Sequence, residues 1–153
     1  MIERLLEIKQ IRAERADKAV KRQEYRVSNS AAQLQKAERS VADYHVWRQE
    51  EEERRFAKAK QHTLVLKELE TLRQEIALLR EREAELKQRV AEAKKALEHE
   101  RSVLKEKQKE ARQAHKTKEK FVQLQQQELA EQSRERQYQE ELEQEEFRTV
   151  DII

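Results

Sequence analysis

The sequence predicts an all-α coiled-coil fold, and three observations support this prediction. The 153 residues include no Gly, no Pro and no Cys, so the two residue types that usually form tight turns are missing. Charged residues make up 43% of the chain and aromatic residues 5%, a composition that favours helices over strands. Apolar residues recur every 3.5 positions, which is the spacing of a coiled coil.

The periodic apolar stripe occupies two stretches of the chain. In the first stretch ten of thirteen stripe positions are apolar, and in the second thirteen of seventeen. The first comprises Ile2, Leu6, Lys9, Ala13, Ala16, Val20, Gln23, Val27, Ser30, Leu34, Ala37, Val41 and Tyr44. The second comprises Val65, Leu69, Leu72, Ile76, Leu79, Glu83, Leu86, Val90, Ala93, Leu97, Glu100, Leu104, Lys107, Ala111, Ala114, Lys118 and Phe121. Because a helix this polar is marginal in isolation, each stripe must pack against another helix.

The region between the two stretches leaves two arrangements open. Its stripe positions are polar: Arg48, Glu51, Arg55, Lys58 and His62. Residues 61–64 are weak helix formers, and Thr63 is a candidate N-cap, so the chain could turn there. In that antiparallel hairpin the numbers of facing residues add up to roughly 123. The heptad phase also continues unchanged across the gap, so one straight helix in a parallel homodimer fits the same pattern.

The hairpin interpretation treats residues 1–153 as a single coiled-coil domain. Its segments are helix 1 at about 2–60, a turn at about 60–64, helix 2 at about 64–146 and a frayed tail at 147–153. Helix 2 outruns helix 1 after about Gln123 and leaves an overhang beside the N-terminus. The overhang is acidic, because residues 131–153 hold eight acidic and three basic residues.

The sequence contains no recognisable catalytic or metal site. Four histidines are scattered along the chain and are expected to be solvated: His45, His62, His99 and His115. The acidic run 50–53 is interpreted as a solvated face, and a coiled coil offers no pocket that would shift a pKa. We therefore expect no enzyme activity, no cofactor and no metal.

Charge and hydropathy argue against nucleic acid and membrane as partners. The 34 basic and 32 acidic residues leave a net charge of +2, which gives little drive toward phosphates. The basic stretch 105–120 is diluted by glutamates and has no aromatic residue for base stacking. No apolar run approaches about 18 residues, so we expect no direct membrane insertion.

Two groups of apolar residues exceed what one partner helix requires. Tyr44 lies on the stripe and Trp47 lies one position beside it, facing Ile76 and Leu79 in the hairpin register. Trp is enriched at interface hot spots, so these four residues, the aromatic patch, either bind a partner or cover the seam. At the N-terminus Leu5, Ile8 and Ile11 widen the stripe, while Phe147, Val150, Ile152 and Ile153 lie in the overhang. These ends either fray or insert into a partner.

Three segments of the chain carry a family resemblance. They are the opening from Ile2 to Val20, the block Asp43-Tyr44-His45-Val46-Trp47-Arg48 with the acidic run and Phe56 that follow it, and the ending from Tyr138 to Phe147. In this order and at this length they resemble the YscO family of type III secretion proteins, whose flagellar counterpart is FliJ. The Asp-Tyr-His-x-Trp-Arg block is the specific part, because coiled coils seldom carry Trp beside the seam.

The resemblance implies a two-helix antiparallel coiled coil similar to the central shaft of rotary ATP synthases. The implied role is a non-enzymatic central stalk of a bacterial type III secretion export apparatus. Its implied partners are the export ATPase, the export gate membrane protein and substrate chaperones. The chain would be a monomer in the cytoplasm, at the base of the apparatus in the inner membrane, and its own export is left open.

Positions that match the family suggest two partner-binding regions, the ATPase end and a mid-stalk patch. Ile2, Leu5, Ile8, Arg12 and Phe147 would belong to the ATPase end. The aromatic patch would contact the gate or the chaperones. The alternatives from the residues are a homodimeric structural scaffold and, less in keeping with the charge balance, a basic helical nucleic-acid-binding protein.

Overall fold

The computed structural model describes residues 1–61 and 65–152 and consists of two long helices. Helix α1 spans Ile2–Lys60 (59 residues) and helix α2 spans Leu66–Ile152 (87 residues). Within the described residues every peptide bond is trans and no residue has positive φ, as expected for a chain without glycine. The predicted all-α antiparallel hairpin is confirmed.

The helix ends differ in part from the expected boundaries. The carbonyl of Val65 accepts hydrogen bonds from the amides of Glu68 (2.9 Å) and Leu69 (3.2 Å), so Val65 precedes the first turn of α2. The predicted turn includes residues 62–64, and these, with the candidate cap Thr63, lie outside the described residues. Helix α2 continues to Ile152, beyond the expected end at about 146, because no Gly or Pro interrupts it.

The described residues form two compact units. The internal unit comprises residues 22–105, and the terminal unit comprises residues 1–21 together with 106–153. Each unit contains one segment of α1 packed against one segment of α2. The division of the chain into domains stays a prediction.

The internal unit fixes the register of the two helices. The Tyr44 hydroxyl donates a hydrogen bond of 2.8 Å to the carbonyl of Leu79, and the Gln23 side-chain amide donates one of 2.9 Å to the carbonyl of Glu100. Both pairs have numbers that add up to 123, as the hairpin interpretation predicts. Since these bonds join α1 and α2 of one chain, the stripes meet within the chain and the parallel dimer is not needed to bury them.

The seam of the internal unit is only partly apolar. Ile76 and Leu97 are buried, but so are the polar side chains of Gln23, Glu52 and Glu83. Burying a Leu or Ile stabilises a fold by about 1.5–3 kcal/mol, whereas a buried polar group must find a partner to avoid a penalty. The seam therefore combines apolar layers with polar layers whose partners come from the facing helix.

The terminal unit has a seam of small residues. Ala13 and Ala111 are its buried apolar residues, and the ammonium of Lys9 lies 5.4 Å from the centre of the Phe121 ring, within the range of a cation–π contact. Met1 lines a groove with Gln125, so α1 begins where the pairing of α2 ends. Consequently every residue of α2 from 126 to 149 is exposed.

Candidate functional site

The aromatic patch is organised by a hydrogen bond across the seam. The rings of Tyr44 and Trp47 lie 5.4 Å apart at an interplanar angle of 40°, an arrangement typical of favourable aromatic pairs. The Tyr44 hydroxyl reaches the carbonyl of Leu79, which holds its ring against the neighbouring helix. Trp47 remains 45% exposed and Ile76 only 9%. Of the four predicted residues, Trp47 thus presents the surface, while Ile76 belongs to the core.

A cluster of charged side chains adjoins the aromatic patch in the seam. We call His45, Arg48, Glu52, Arg80 and Glu83 the ionic cluster. Arg48 lies 2.5 Å (Nε) from Oε2 of Glu83 and 2.8 Å (Nη1) from Oε1 of Glu52. Oε1 of Glu52 also accepts a hydrogen bond of 3.1 Å from Nε of Arg80, and His45 Nδ1 lies 2.6 Å from Oε1 of Glu83. Glu52 therefore meets basic groups from both helices, and Glu83 meets two from the facing helix.

The electrostatics of the ionic cluster favour the charged forms of Glu52, Glu83 and Arg48. The hydrogen bond from Arg80, together with the bond and charge of Arg48, lowers the pKa of Glu52 against the opposing effect of burial. Burial has the largest single influence on Glu83 and favours its protonated form, but His45 and Arg48 together outweigh it and lower its pKa. The hydrogen bond to Glu52 raises the pKa of Arg48. Opposite charges in a shielded seam account for all three directions.

Two expectations from the sequence are wrong at this cluster. The acidic run 50–53 is not a wholly solvated face, because Glu52 is 9% exposed and Glu51 is half-buried. The histidines are not all simply solvated either, since His45 is half-buried and pairs with Glu83. His115 is exposed, as predicted, and lies 2.9 Å from Asp17 in the terminal unit. The facing-helix partners lie far away in sequence, 28 positions for Glu52, 38 for His45 and 98 for His115.

The other two histidines complete this comparison. His99 is exposed, as predicted, and His62 lies outside the described residues. The stripe was expected to fail at Arg48, but the seam continues there with ion pairs in place of apolar contacts.

The N-terminal surface is a second candidate. It consists of Leu5, Ile8, Ile11 and Arg12, which lie on the first turns of α1 and are all exposed. Ile2, which was grouped with them, is half-buried at the seam. Apolar side chains this close together on a soluble helix are typical of an interaction surface.

Phe147 does not lie beside the N-terminal surface. It is 15 residues beyond Gln132, the last residue of α2 in the groove that Met1 lines, which corresponds to about 22 Å along a helix. Leu129, which was not predicted, lines that groove with Met1 and is exposed. The hairpin register could have identified Leu129, because it places the first turn of α1 beside this part of α2.

Metal and membrane sites can be assessed over the described ranges 1–61 and 65–152. No group of three or more His, Cys, Asp or Glu side chains in these ranges is arranged to hold a metal ion. Neither helix, as far as it is described, carries an apolar stretch long enough to cross a bilayer.

Comparisons with known proteins point to a single family. The family model described as "Type III secretion protein YscO" matches residues 2–150. Yop proteins translocation protein O of Yersinia pseudotuberculosis serotype I (strain IP32953) is 40% identical over 124 residues, which cover 81% of this chain and 80% of the relative. The crystal structure of type III secretion protein YscO from Vibrio parahaemolyticus is 86% identical, covers 96% of this chain and 92% of its own, and superimposes with a TM-score of 0.88. The chain belongs to the YscO family of type III secretion proteins.

Proposed function

We propose that the chain is a non-enzymatic central stalk of the type III export apparatus, coupling the export ATPase ring to the export gate and binding substrate chaperones. It would act as a monomer in the cytoplasm, at the base of the apparatus in the inner membrane. The N-terminal surface carries this proposal, since Leu5 and Ile8 are 41% and 38% exposed although both are large aliphatic residues. Such side chains gain about 1.5–3 kcal/mol each when a partner covers them.

The unpaired part of α2 also supports placing the ATPase contact in the terminal unit. Residues 133–149 are exposed and lie beyond the groove that α2 forms with the first turn of α1, and an isolated helix this polar is marginal in water. The segment 131–153 is acidic, with eight acidic and three basic residues. A partner with a basic cavity and apolar contacts would stabilise this helix, and the inside of a ring-shaped ATPase is the partner we propose.

Association with the ATPase tests this end of the proposal. The double substitution Leu5→Ala and Ile8→Ala should weaken binding to the export ATPase by about 100-fold, because two lost aliphatic contacts are worth about 3 kcal/mol. Binding is measured by titrating the labelled chain with purified ATPase. The control is Tyr25→Ala, which removes an exposed aromatic ring of α1 that belongs to neither surface. Unchanged binding by the double variant would contradict the assignment.

The aromatic patch is proposed as the contact for the gate or for chaperones. Trp47 is large, half-exposed and braced by Tyr44, which are the properties of an interface anchor. Trp47→Ala should abolish secretion while circular dichroism shows unchanged helicity. Val46→Ala is the matched control, since Val46 is the exposed neighbour of Trp47. Normal secretion by the Trp47 variant would remove the patch from the proposal.

A further inference from the structure

Charged residues occupy six stripe positions of the internal unit, where coiled coils usually have apolar residues. They are Arg48, Glu51, Arg55, Lys58, Glu83 and Glu100. Lys58 is exposed, whereas the other five are buried or half-buried between the helices. A shielded charge costs free energy unless an opposite charge or a hydrogen-bonding group meets it. The residue that faces each of these five charges therefore influences which pairing of helices the chain adopts.

In the hairpin all five shielded charges have partners. The ionic cluster pairs two of them with each other. Nη1 of Arg55 lies 3.1 Å from Oε2 of Glu75 on the facing helix, and its Nε lies 3.1 Å from Oε1 of Glu51. The side-chain amide of Gln23 donates hydrogen bonds to both the carboxylate and the backbone carbonyl of Glu100. The antiparallel seam thus places an opposite charge or a hydrogen-bond donor beside each shielded charge.

An in-register parallel homodimer would give each of these charges a different neighbour. In such a dimer the a and d residues of one helix face the same positions of the other. Arg48 would face a second Arg48, and Glu83 and Glu100 would each face a second copy of themselves. The apolar stripe residues would still meet apolar residues, so hydrophobic contacts alone do not separate this dimer from the hairpin. The like charges do separate them, because like charges facing each other in a seam oppose association.

We propose that the shielded seam charges exclude the in-register parallel homodimer, which the apolar stripe alone would permit. Apolar layers stabilise either arrangement. The charges favour the antiparallel one, because it brings Arg48 beside Glu83 and the in-register dimer does not. An antiparallel dimer of two opened chains would reproduce the hairpin contacts, so the inference concerns parallel pairing alone. It does not depend on the stalk role, and either can fail without the other.

Replacing three seam charges with leucine tests the proposal. The apolar-seam variant combines Arg48→Leu, Glu83→Leu and Glu100→Leu, so that a parallel dimer gains apolar layers where it had like charges. Sedimentation velocity of the full chain at a series of concentrations measures association. We expect the parent chain to sediment as a monomer and the apolar-seam variant to form dimers at the same concentrations, with an association constant at least tenfold larger.

Leucine in the seam also adds apolar surface, so a matched variant separates that effect from the loss of charge. The control variant combines Ser30→Leu, Ala37→Leu and Ala93→Leu, all at half-buried seam positions of the internal unit. It adds the same number of leucines and keeps every charge. We expect its association constant to differ from that of the parent chain less than twofold.

A single spin label measures the orientation of the helices in the dimer. Glu38→Cys provides the only thiol, since the chain has no Cys, and Glu38 is exposed. In an in-register parallel dimer the two labels lie side by side, below about 25 Å for helices about 8–10 Å apart. In an antiparallel dimer with the hairpin register, residue 38 lies beside residue 85 of the second copy, so the labels are about 70 Å apart. We expect the short distance in the apolar-seam variant.

Any of three results would overturn the proposal. A monomeric apolar-seam variant would mean that the charges do not prevent parallel pairing. Equal association of the control variant would assign the effect to hydrophobic contacts. Labels about 70 Å apart would show an antiparallel dimer, which the seam charges do not oppose. Circular dichroism of each variant must show the helicity of the parent chain.

Discussion

Arg48 and Glu83 form an ion pair inside the seam, with 2.5 Å between Nε and Oε2 and side-chain exposures of 12% and 8%. The contact is an attraction of charges and not a well-aligned hydrogen bond, since Nε of Arg48 has no hydrogen-bond partner within the described residues. It joins α1 to α2 beside the aromatic patch. A two-helix seam offers partial shielding, so this pair holds the helices in register without full removal from water.

Removing one partner of this ion pair should destabilise the hairpin more than removing both. Glu83→Ala leaves the Arg48 guanidinium shielded and short of a carboxylate, and the free energy of unfolding should fall by about 3 kcal/mol. The double variant Arg48→Met and Glu83→Leu should lose less stability than Glu83→Ala, because the apolar side chains can pack in the seam and Glu52 keeps its ion pair with Arg80. Urea unfolding followed by circular dichroism measures both. A double variant less stable than Glu83→Ala would contradict this account.

Stability should decrease in acid. The pKa values of Glu52 and Glu83 are lowered from the ordinary value of 4.5, so the unfolded chain binds protons more readily than the folded one. The stabilisation is complete above the unfolded pKa and is lost as the pH falls below about 4.5 through the folded values. Urea unfolding at a series of pH values measures the slope. Glu52→Gln should flatten it, whereas Glu53→Gln, at an exposed position, should leave it unchanged.

The Tyr44 hydroxyl and the Tyr44 ring should have separable effects. Tyr44→Phe removes the hydrogen bond to the Leu79 carbonyl, which should lower the unfolding free energy by about 1 kcal/mol. The ring remains available to Trp47, so the tryptophan emission spectrum should stay unchanged. Tyr44→Leu removes the ring and should shift the emission toward that of a solvated indole. A shift of similar size in the Phe variant would mean that the hydroxyl, not the ring, positions Trp47.

A distance measurement can separate the hairpin from the parallel dimer in solution. The chain has no Cys, so Glu38→Cys and Lys94→Cys introduce two unique sites for spin labels. Both positions are exposed and lie in the internal unit, one on each helix. Helices packed about 8–10 Å apart should give a label separation below about 25 Å. In a straight helix the same two sites would be about 84 Å apart. Mixing the doubly labelled chain with an excess of unlabelled chain removes the signal from label pairs on different molecules. Loss of the short distance under this dilution would contradict the hairpin.

Periodicity along the chain predicted the seam, and the turn placed at about 60–64 set the register of the hairpin interpretation. Every position of the first stripe, from Ile2 to Tyr44, is buried or half-buried. The pairing of Tyr44 with Leu79 follows the same numerical register. These features are predictable because the 3.5-residue period is a local property that any partner helix must match.

The contents of the surfaces were less predictable. The sequence singled out Trp47, which the structure leaves exposed, but it grouped Ile76 with that surface although Ile76 is buried. It also grouped Phe147 with the N-terminal residues, although the pairing of α2 ends near Gln125. Exposure depends on how far each helix extends past its partner, and a stripe alone does not contain that information.

The sequence by itself determined that this chain is helical, which residues form its seam and which family it resembles. Helix propensity, heptad spacing and the Trp-containing block are properties of the linear sequence, so they can be recognised without the structure. Only the tertiary structure decided that Glu52 and Glu83 are buried ions and that Arg48 joins them. The reason is physical. A charged side chain is stable in a seam only when the facing helix brings an opposite charge to it.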